Sequence, residues 1–366
     1  MNRRNFLIHL LRGLHTMALV NLLPPAELLA AAKGKTSSGL HYRPLEGASL
    51  RDIALRKLHH GKNRFLNPIG MPRKGRFLQL LRWKLFNFNR FGKDLDAQPL
   101  TPVSLDWRPV ADHPGPSVTF LKHAGIMISD RGRHLIIDPV FDDIFWFIKD
   151  FSPLASDIRK MPRPDHVLIT HGHYDHLDLP SLRMLAQDAH TISPLGYGRE
   201  FRRLGGGLRT QLDWYDAHDD AHWAITLLPC NHWTMRNPAE GPNTSLWGSY
   251  LIRSADGFTV YVSGDTAFFD GFEQIGREFD IDLAIFNLGA YEPRWFMAPS
   301  HLNPRETVQA FKALNAKRLM IVHWGTFRLG DEPVHFPPLQ IHKELETANL
   351  LDRWIDIKHG KTYFAG

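Results

Sequence analysis

The sequence predicts an α/β domain organised around a metal site, on three observations. First, short apolar stretches rich in Val, Ile and Leu, at residues 165–169, 223–228, 258–262, 283–286 and 318–322, read as buried strands. Second, each of them runs into a histidine, aspartate or asparagine. Third, the earliest is followed by Thr170-His171-Gly172-His173-Tyr174-Asp175-His176-Leu177-Asp178. A helix then opens at Pro180, in the first-turn position that proline tolerates.

Three histidines and a carboxylate within six residues supply the donors that zinc takes. Without thiolates the same set also admits iron or manganese. In an extended loop, side chains two apart lean to the same side, so His171 and His173 can grip one cation. Asp175 and His176 are neighbours that point apart, and they more naturally serve a second. The competing reading is a polar surface loop that happens to be rich in histidine. The spacing, the preceding strand and the acid all weigh against it.

With 366 residues, 43% hydrophobic and 22% charged, the chain can build one large domain or two ordinary ones with a full core. A single cysteine, Cys230, excludes an internal disulfide framework. The net charge of +6 is unevenly placed: residues 51–93 hold twelve cations against one acid, Asp52, which leaves the rest of the chain net acidic.

Taken in order, Asn2-Arg3-Arg4-Asn5-Phe6-Leu7 resembles the core of a twin-arginine export signal. An apolar run over residues 13–23, then Pro24-Pro25 and a small-residue cleavage site after Ala32, follow it. That run is too short to span a bilayer as a stable helix. Residues 1–32 are therefore expected to direct export to the periplasm or cell envelope. The competing reading is a cytoplasmic chain whose amphipathic start lies on a membrane through Leu7, Leu10, Leu11 and Leu14.

Residues 33–102 are expected to form a linker, flexible over 33–50, and a basic aromatic extension. In the extension, Phe77, Leu81, Leu85 and Phe88 recur at helical spacing among Arg82, Lys84 and Arg90. This suits peripheral docking on an anionic membrane, or a helix packed on the catalytic domain with its cations solvated. No nucleic-acid-binding motif accompanies the charge, so no nucleic-acid partner is expected.

The catalytic domain is expected over residues 103–366. Residues 118–121 and 125–128 read as strands joined by a tight turn, and 135–137 as a third ending at Asp138-Pro139. Later strands deliver His232, Asp265, Asn287 and His323. A lone residue of this kind at a strand end is usually structural. Several of them after a metal-binding loop point to convergence, because strands ending on one side of a sheet bring their last residues together.

The motif HxHxDH after a strand resembles the metallo-β-lactamase superfamily, which implies an αββα sandwich: two mixed β-sheets flanked by helices, with one or two metals between them. A narrower resemblance covers roughly residues 64–330. It rests on residues 171–178, Leu246-Trp247-Gly248-Ser249, Gly264-Asp265-Thr266, the run from Gly289 to Met297 and His323-Trp324-Gly325-Thr326-Phe327. These are similar to the N-acylphosphatidylethanolamine-hydrolysing phospholipase D branch and its bacterial RomA-type relatives. One departure is Lys122, before His123-Ala124, where the branch usually carries glycine.

The resemblance implies two zinc ions per chain. His171, His173 and His232 would hold one, and Asp175, His176 and His323 the other, with Asp265 bridging both. It implies Asp138 as an acid that orients the metal loop from behind, His301 beside the metals as a catalytic residue with Asp175, and Tyr291 and Trp295 lining the substrate. Cys230 reads as a buried, inert thiol.

Two cations close together make hydroxide available from water near neutral pH. Such a site hydrolyses phosphodiesters or carbonyl compounds equally well, so the phosphodiester expectation, with a phospholipid or other anionic small molecule as substrate, rests on the resemblance. The rivals are a lactone or other ester hydrolase on the same site, and a non-catalytic metal-binding envelope protein. Against the latter, every ligand position is filled. The sequence sets no oligomeric state.

Overall fold

A computed structural model describes residues 47–70, 79, 83, 89–95, 98–185, 188–205 and 207–365. The twin-arginine pattern and most of the basic helix expected over 76–91 lie outside the described residues. Among the described residues, no helix is long and apolar enough to cross a membrane.

The apolar stretches form strands of two mixed sheets. The first contains β1 (Ser117–Lys122), β2 (Gly125–Asp130), β3 (Arg133–Ile137), β4 (His166–Leu168), β5 (His190–Pro194) and β6 (Arg209–Leu212), and β13 (Thr362–Phe364) joins it beside β1. The second contains β7 (Ala217–Asp219), β8 (Trp223–Leu228), β9 (Ser249–Ser254), β10 (Thr259–Val262), β11 (Leu283–Asn287) and β12 (Arg318–Val322), in the order β12-β11-β10-β9-β8-β7. Strands β3 to β6 run parallel to one another, as do β10 to β12, and the remaining pairs are antiparallel.

Alternation decides the layers. Val118, Phe120, Ile126, Ile128, Leu135 and Ile137 of one sheet share an inner core with Ile225, Leu227, Tyr250, Ile252, Val260 and Val262 of the other. The alternate residues face outward. Met127, Ile136 and Val167 pack with Leu182 of the helix Leu179–Leu185 and Phe201 of the helix Gly198–Arg202. On the far side, Tyr261, Phe286 and Ile321 pack with Phe272 of the helix Gly271–Glu278, Phe311 of Pro304–Leu314 and Ile341 of Phe336–Thr347. The result is the αββα sandwich. Each buried Leu, Ile or Phe contributes about 1.5–3 kcal/mol, against about 0–1 for an exposed ion pair, so these cores hold the layers together.

The helix Leu50–Leu55 is closed by a capping box between Ser49 and Asp52 and buries Leu50, Ile53 and Ala54 in the two cores that the second sheet helps to form. Strands β1, β3, β4, β8, β10, β11 and β12 all end on the same edge of the sandwich, and that edge carries the site.

Candidate metal centre

The strand ends deliver the residues in turn. After β4 the chain turns through His171, His173, Asp175 and His176; β8 leads to His232, β10 to Asp265 and β12 to His323. All seven are buried, none more than 4% exposed. Two close approaches make the geometry possible. At Gly264, which has φ +56°, and at Gly289, an added Cβ would lie 3.0 Å from Thr170 and 2.1 Å from the His323 carbonyl respectively.

The donors form two groups. His171, His173, His232 and Asp265 offer ligand atoms all within 4.8 Å of one another, and so do Asp175, His176 and His323 together with His123. In the first group His173 Nδ1 lies 2.8 Å from His171 Nε2 and 3.3 Å from His232 Nε2. In the second, His176 Nε2 and His323 Nε2 are 3.2 Å apart and stand 3.5 and 3.4 Å from Asp175 Oδ2. A tetrahedral shell with bonds near 2.1 Å places its donors about 3.4 Å apart, so these spacings are those of a ligand set.

Asp265 lies between the groups. Its Oδ2 is buried without a hydrogen-bond partner, yet faces His176 at 3.4 Å, His301 at 3.8 Å, His171 at 3.9 Å and His232 at 4.0 Å. Its Oδ1 lies 3.3 Å from His323 Nε2 and accepts the Asn287 amide at 2.9 Å. A buried carboxylate oxygen with no hydrogen-bond partner, surrounded by imidazoles, fits cations on both sides of it.

The surrounding groups fix which ring nitrogen points inward. Asp138 accepts from the Thr170 amide (2.8 Å), the Thr170 hydroxyl (2.6 Å) and His176 Nδ1 (2.8 Å). His232 Nδ1 donates to the Ser300 carbonyl at 3.0 Å. Asn67 holds the same loop, donating to Asn231 Oδ1 and the His232 carbonyl. Partners of this kind set tautomer and ring orientation.

Burial, with neighbouring imidazoles, holds His171 and His173 well below the usual histidine range, so both are neutral and offer lone pairs. Burial opposes charge on Asp175 too, but His176 and the hydrogen bonds from His123, His176 and His323 outweigh it and hold that carboxyl well below its usual range. His176 is also desolvated, yet Asp265, Asp175 and Asp138 raise it well above the ordinary value. A cation bound at its Nε2 would take the place of that proton.

His301, 4% exposed, flanks Asp265 just ahead of the capping box of Asn303 and Glu306. Trp295 is half-buried, its ring 6.0 Å from that of Trp83. Tyr291 is 2% exposed in the outer core, and its hydroxyl donates to Gln340. Cys230 is buried with its thiol on the Asp265 carbonyl at 3.5 Å, and burial pushes that thiol well up.

Sequence reasoning missed His123. Lys122 is buried in an ion pair with Asp150 and bonded to the Phe141 carbonyl, 3.3 Å away. Beside it His123 adopts φ +52° and sends Nε2 to Asp175 Oδ2 at 3.0 Å. Its position at the end of β1, on the same edge as the other strand ends, was the available signal.

The family model for the beta-lactamase superfamily domain matches residues 133–324. The chain belongs to the metallo-β-lactamase superfamily. It is a metal-dependent hydrolase of that superfamily. It is 30% identical over 249 residues to N-acyl-phosphatidylethanolamine-hydrolyzing phospholipase D 1 of Caenorhabditis elegans, covering 63% of this chain and 69% of that protein. It is 31% identical over 246 residues to the mitochondrial N-acyl-phosphatidylethanolamine-hydrolyzing phospholipase D of Saccharomyces cerevisiae, again 63% of this chain but about half, 52%, of the yeast protein. Among solved structures, a possible metal-dependent hydrolase from Veillonella parvula superposes with a TM-score of 0.56 at 15% identity, covering 69% of this chain and 99% of that one. That likeness concerns the metallo-β-lactamase fold alone.

Proposed function

We propose that this hydrolase is a two-zinc phosphodiesterase of phospholipase D type, acting on N-acylphosphatidylethanolamine-like lipids. The observation that carries the reading is the pair of donor groups meeting at Asp265, in a chain about 30% identical to two proteins named for that activity. His171, His173 and His232 would hold one ion and Asp175, His176 and His323 the other, with Asp265 reaching both. When bound, the two ions supply an activated water and offset charge on the phosphoryl oxygens.

The chain's own residues do the rest. Asp138 and the Ser300 carbonyl keep the His176 and His232 rings aimed inward. Water adds to phosphorus, the bond from phosphorus to the N-acylethanolamine oxygen breaks, and the departing alcohol takes a proton, leaving phosphatidate. His301, whose Nδ1 lies 3.8 Å from Asp265 Oδ2, would give that proton. From residues 83–90, Trp83 donates to Asp331 at 2.9 Å, Asn89 to the Asp331 carbonyl at 2.7 Å, and Arg90 pairs with Glu292. These contacts support a role for the basic extension in holding an anionic lipid surface. Export through the twin-arginine pattern would place this activity in the cell envelope.

The test is hydrolysis of N-acylphosphatidylethanolamine by the purified protein with and without a chelator. Chelator-sensitive release of phosphatidic acid is expected. No release from zinc-loaded protein would overturn the lipid assignment and move the search to lactones and other diesters.

A further inference from the structure

We propose that His166, His190 and His218 form a separate site for a zinc-type divalent cation on the opposite edge of the sandwich. His166 opens β4 and His190 opens β5, at the ends of those strands remote from the catalytic loop, and His218 lies in β7. With a rise near 3.3 Å per residue, His166 is roughly 15 Å along the chain from His171. The three rings offer ligand nitrogens within 4.8 Å of one another, with ring centroids 5.6, 5.3 and 4.7 Å apart. Closing to the spacing of about 3.4 Å in a tetrahedral zinc shell takes only small side-chain rotations.

A second observation points to a ligand. Asp220 Oδ2 lies 2.7 Å from His166 Nε2 and accepts its proton. That fixes the tautomer and leaves the lone pair on Nδ1. His166 is 4% exposed, and Nδ1 is buried with no hydrogen-bond partner. An acceptor buried without a donor is costly, and a cation satisfies it. A carboxylate behind one ring nitrogen and a metal on the other is the arrangement that orients histidine ligands. His190 is steadied in the same way, its Nε2 2.9 Å from Thr210 Oγ1.

Three imidazoles without thiolate suit zinc, copper or nickel rather than magnesium or calcium. His190 and His218 are half-buried, which leaves room for water at a fourth position. β5 neighbours the edge strand β6 of one sheet, and β7 is the edge strand of the other. A cation here would therefore clip the two sheets together where the chain crosses between them.

The experiment strips full-length protein with a chelator, dialyses it against zinc and counts metal per chain by mass spectrometry. The wild type is compared with His218→Gln, with His190→Gln/His218→Gln and with Asp220→Asn. Loss of about one zinc per chain in the double variant, with hydrolase activity retained, is expected. Asp220→Asn keeps all three rings and should weaken this zinc about 10–100-fold, with no change at the catalytic groups. Equal zinc content in the wild type and the double variant would overturn the proposal. Should the double variant fail to fold, Asp220→Asn decides alone, and zinc affinity equal to that of the wild type overturns it.

Discussion

Asp138 and His176 are joined by a 2.8 Å hydrogen bond, ring Nδ1–H donating to carboxylate Oδ2, and the same carboxylate accepts both polar hydrogens of Thr170. One acid thus ties the end of β3 to the loop after β4 and turns His176 Nε2 toward the second donor group. It does so from a left-handed backbone, φ +45°. Asp138→Asn keeps the shape but loses the charge and one acceptor. Zinc affinity is expected to fall about 10–100-fold, with turnover recovered in excess zinc. Rate against free zinc reads this directly, and an unchanged midpoint would remove Asp138 from the metal's support.

His123 stands on the other side of the same group. Burial and the neighbouring His323 push it down to about 3, so at neutral pH it is uncharged and its Nε2–H donates to Asp175. Its ring packs 4.1 Å from that of His323. His123→Ala leaves Asp175 short of a donor and opens space beside a ligand, at a cost of about 1–3 kcal/mol. The expected result is a lower melting temperature together with weaker zinc binding. Loss of stability with zinc binding intact would make His123 a packing residue only.

His173→Ala and Asp175→Asn each remove a donor from a different group, and each is expected to abolish turnover while the cores keep the chain folded. Circular dichroism with a zinc count separates the two effects. Wild-type turnover in either variant would sink the ligand assignment.

A pH effect should come from Glu332. Burial raises its carboxyl to about 7 from 4.5; the Tyr291 and Glu292 amides oppose the shift, and the Glu292 carboxylate adds to it. The folded value lies above the unfolded one. Its contribution is therefore fully present below about pH 4.5 and is lost as pH rises to about 7. A shift of this size corresponds to ~3 kcal/mol. Glu332→Gln should flatten that part of the stability curve, as read by denaturant unfolding at pH 5 and pH 8. Parallel curves for the two proteins would assign the slope to other groups.

The strand ends were legible because apolar runs of five or six residues mark where a strand stops, and the next residue is then at the sheet edge whatever the tertiary details. That reasoning reached His171, His232, Asp265 and His323. His123 follows the same rule after β1, but a tight turn between two strands hid it as a connector. For Tyr291 the direction of the ring was not legible: the run from Gly289 to Met297 has no period from which it can be read, and the ring lies in the outer core. Long-range partners such as Asn67 on the His232 carbonyl leave no local trace. The orphan Nδ1 of His166 is equally silent in sequence, since it depends on Asp220 arriving from a β-turn 54 residues later.

The exposed aromatic loop after β3 gives the last prediction, which rests on the lipid reading. Trp146 is 81% exposed between Phe145 and Phe147, and the Phe145 ring lies 5.1 Å from that of Tyr174, the residue between His173 and Asp175. Indole rings favour the headgroup region of a bilayer, where the polar N–H stays wet and the rest is apolar. On that reading, a loop tip of this kind beside the metal loop would seat the site on a membrane. Trp146→Ser is expected to lower the rate on anionic vesicles about tenfold, equivalent to ~1.4 kcal/mol of lost docking, while hydrolysis of a small soluble diester is unchanged. Equal losses on both substrates would put Trp146 in the site itself, and equal rates on both would leave docking to the basic extension, where Arg82→Ser with Lys84→Ser should then produce the vesicle-specific loss.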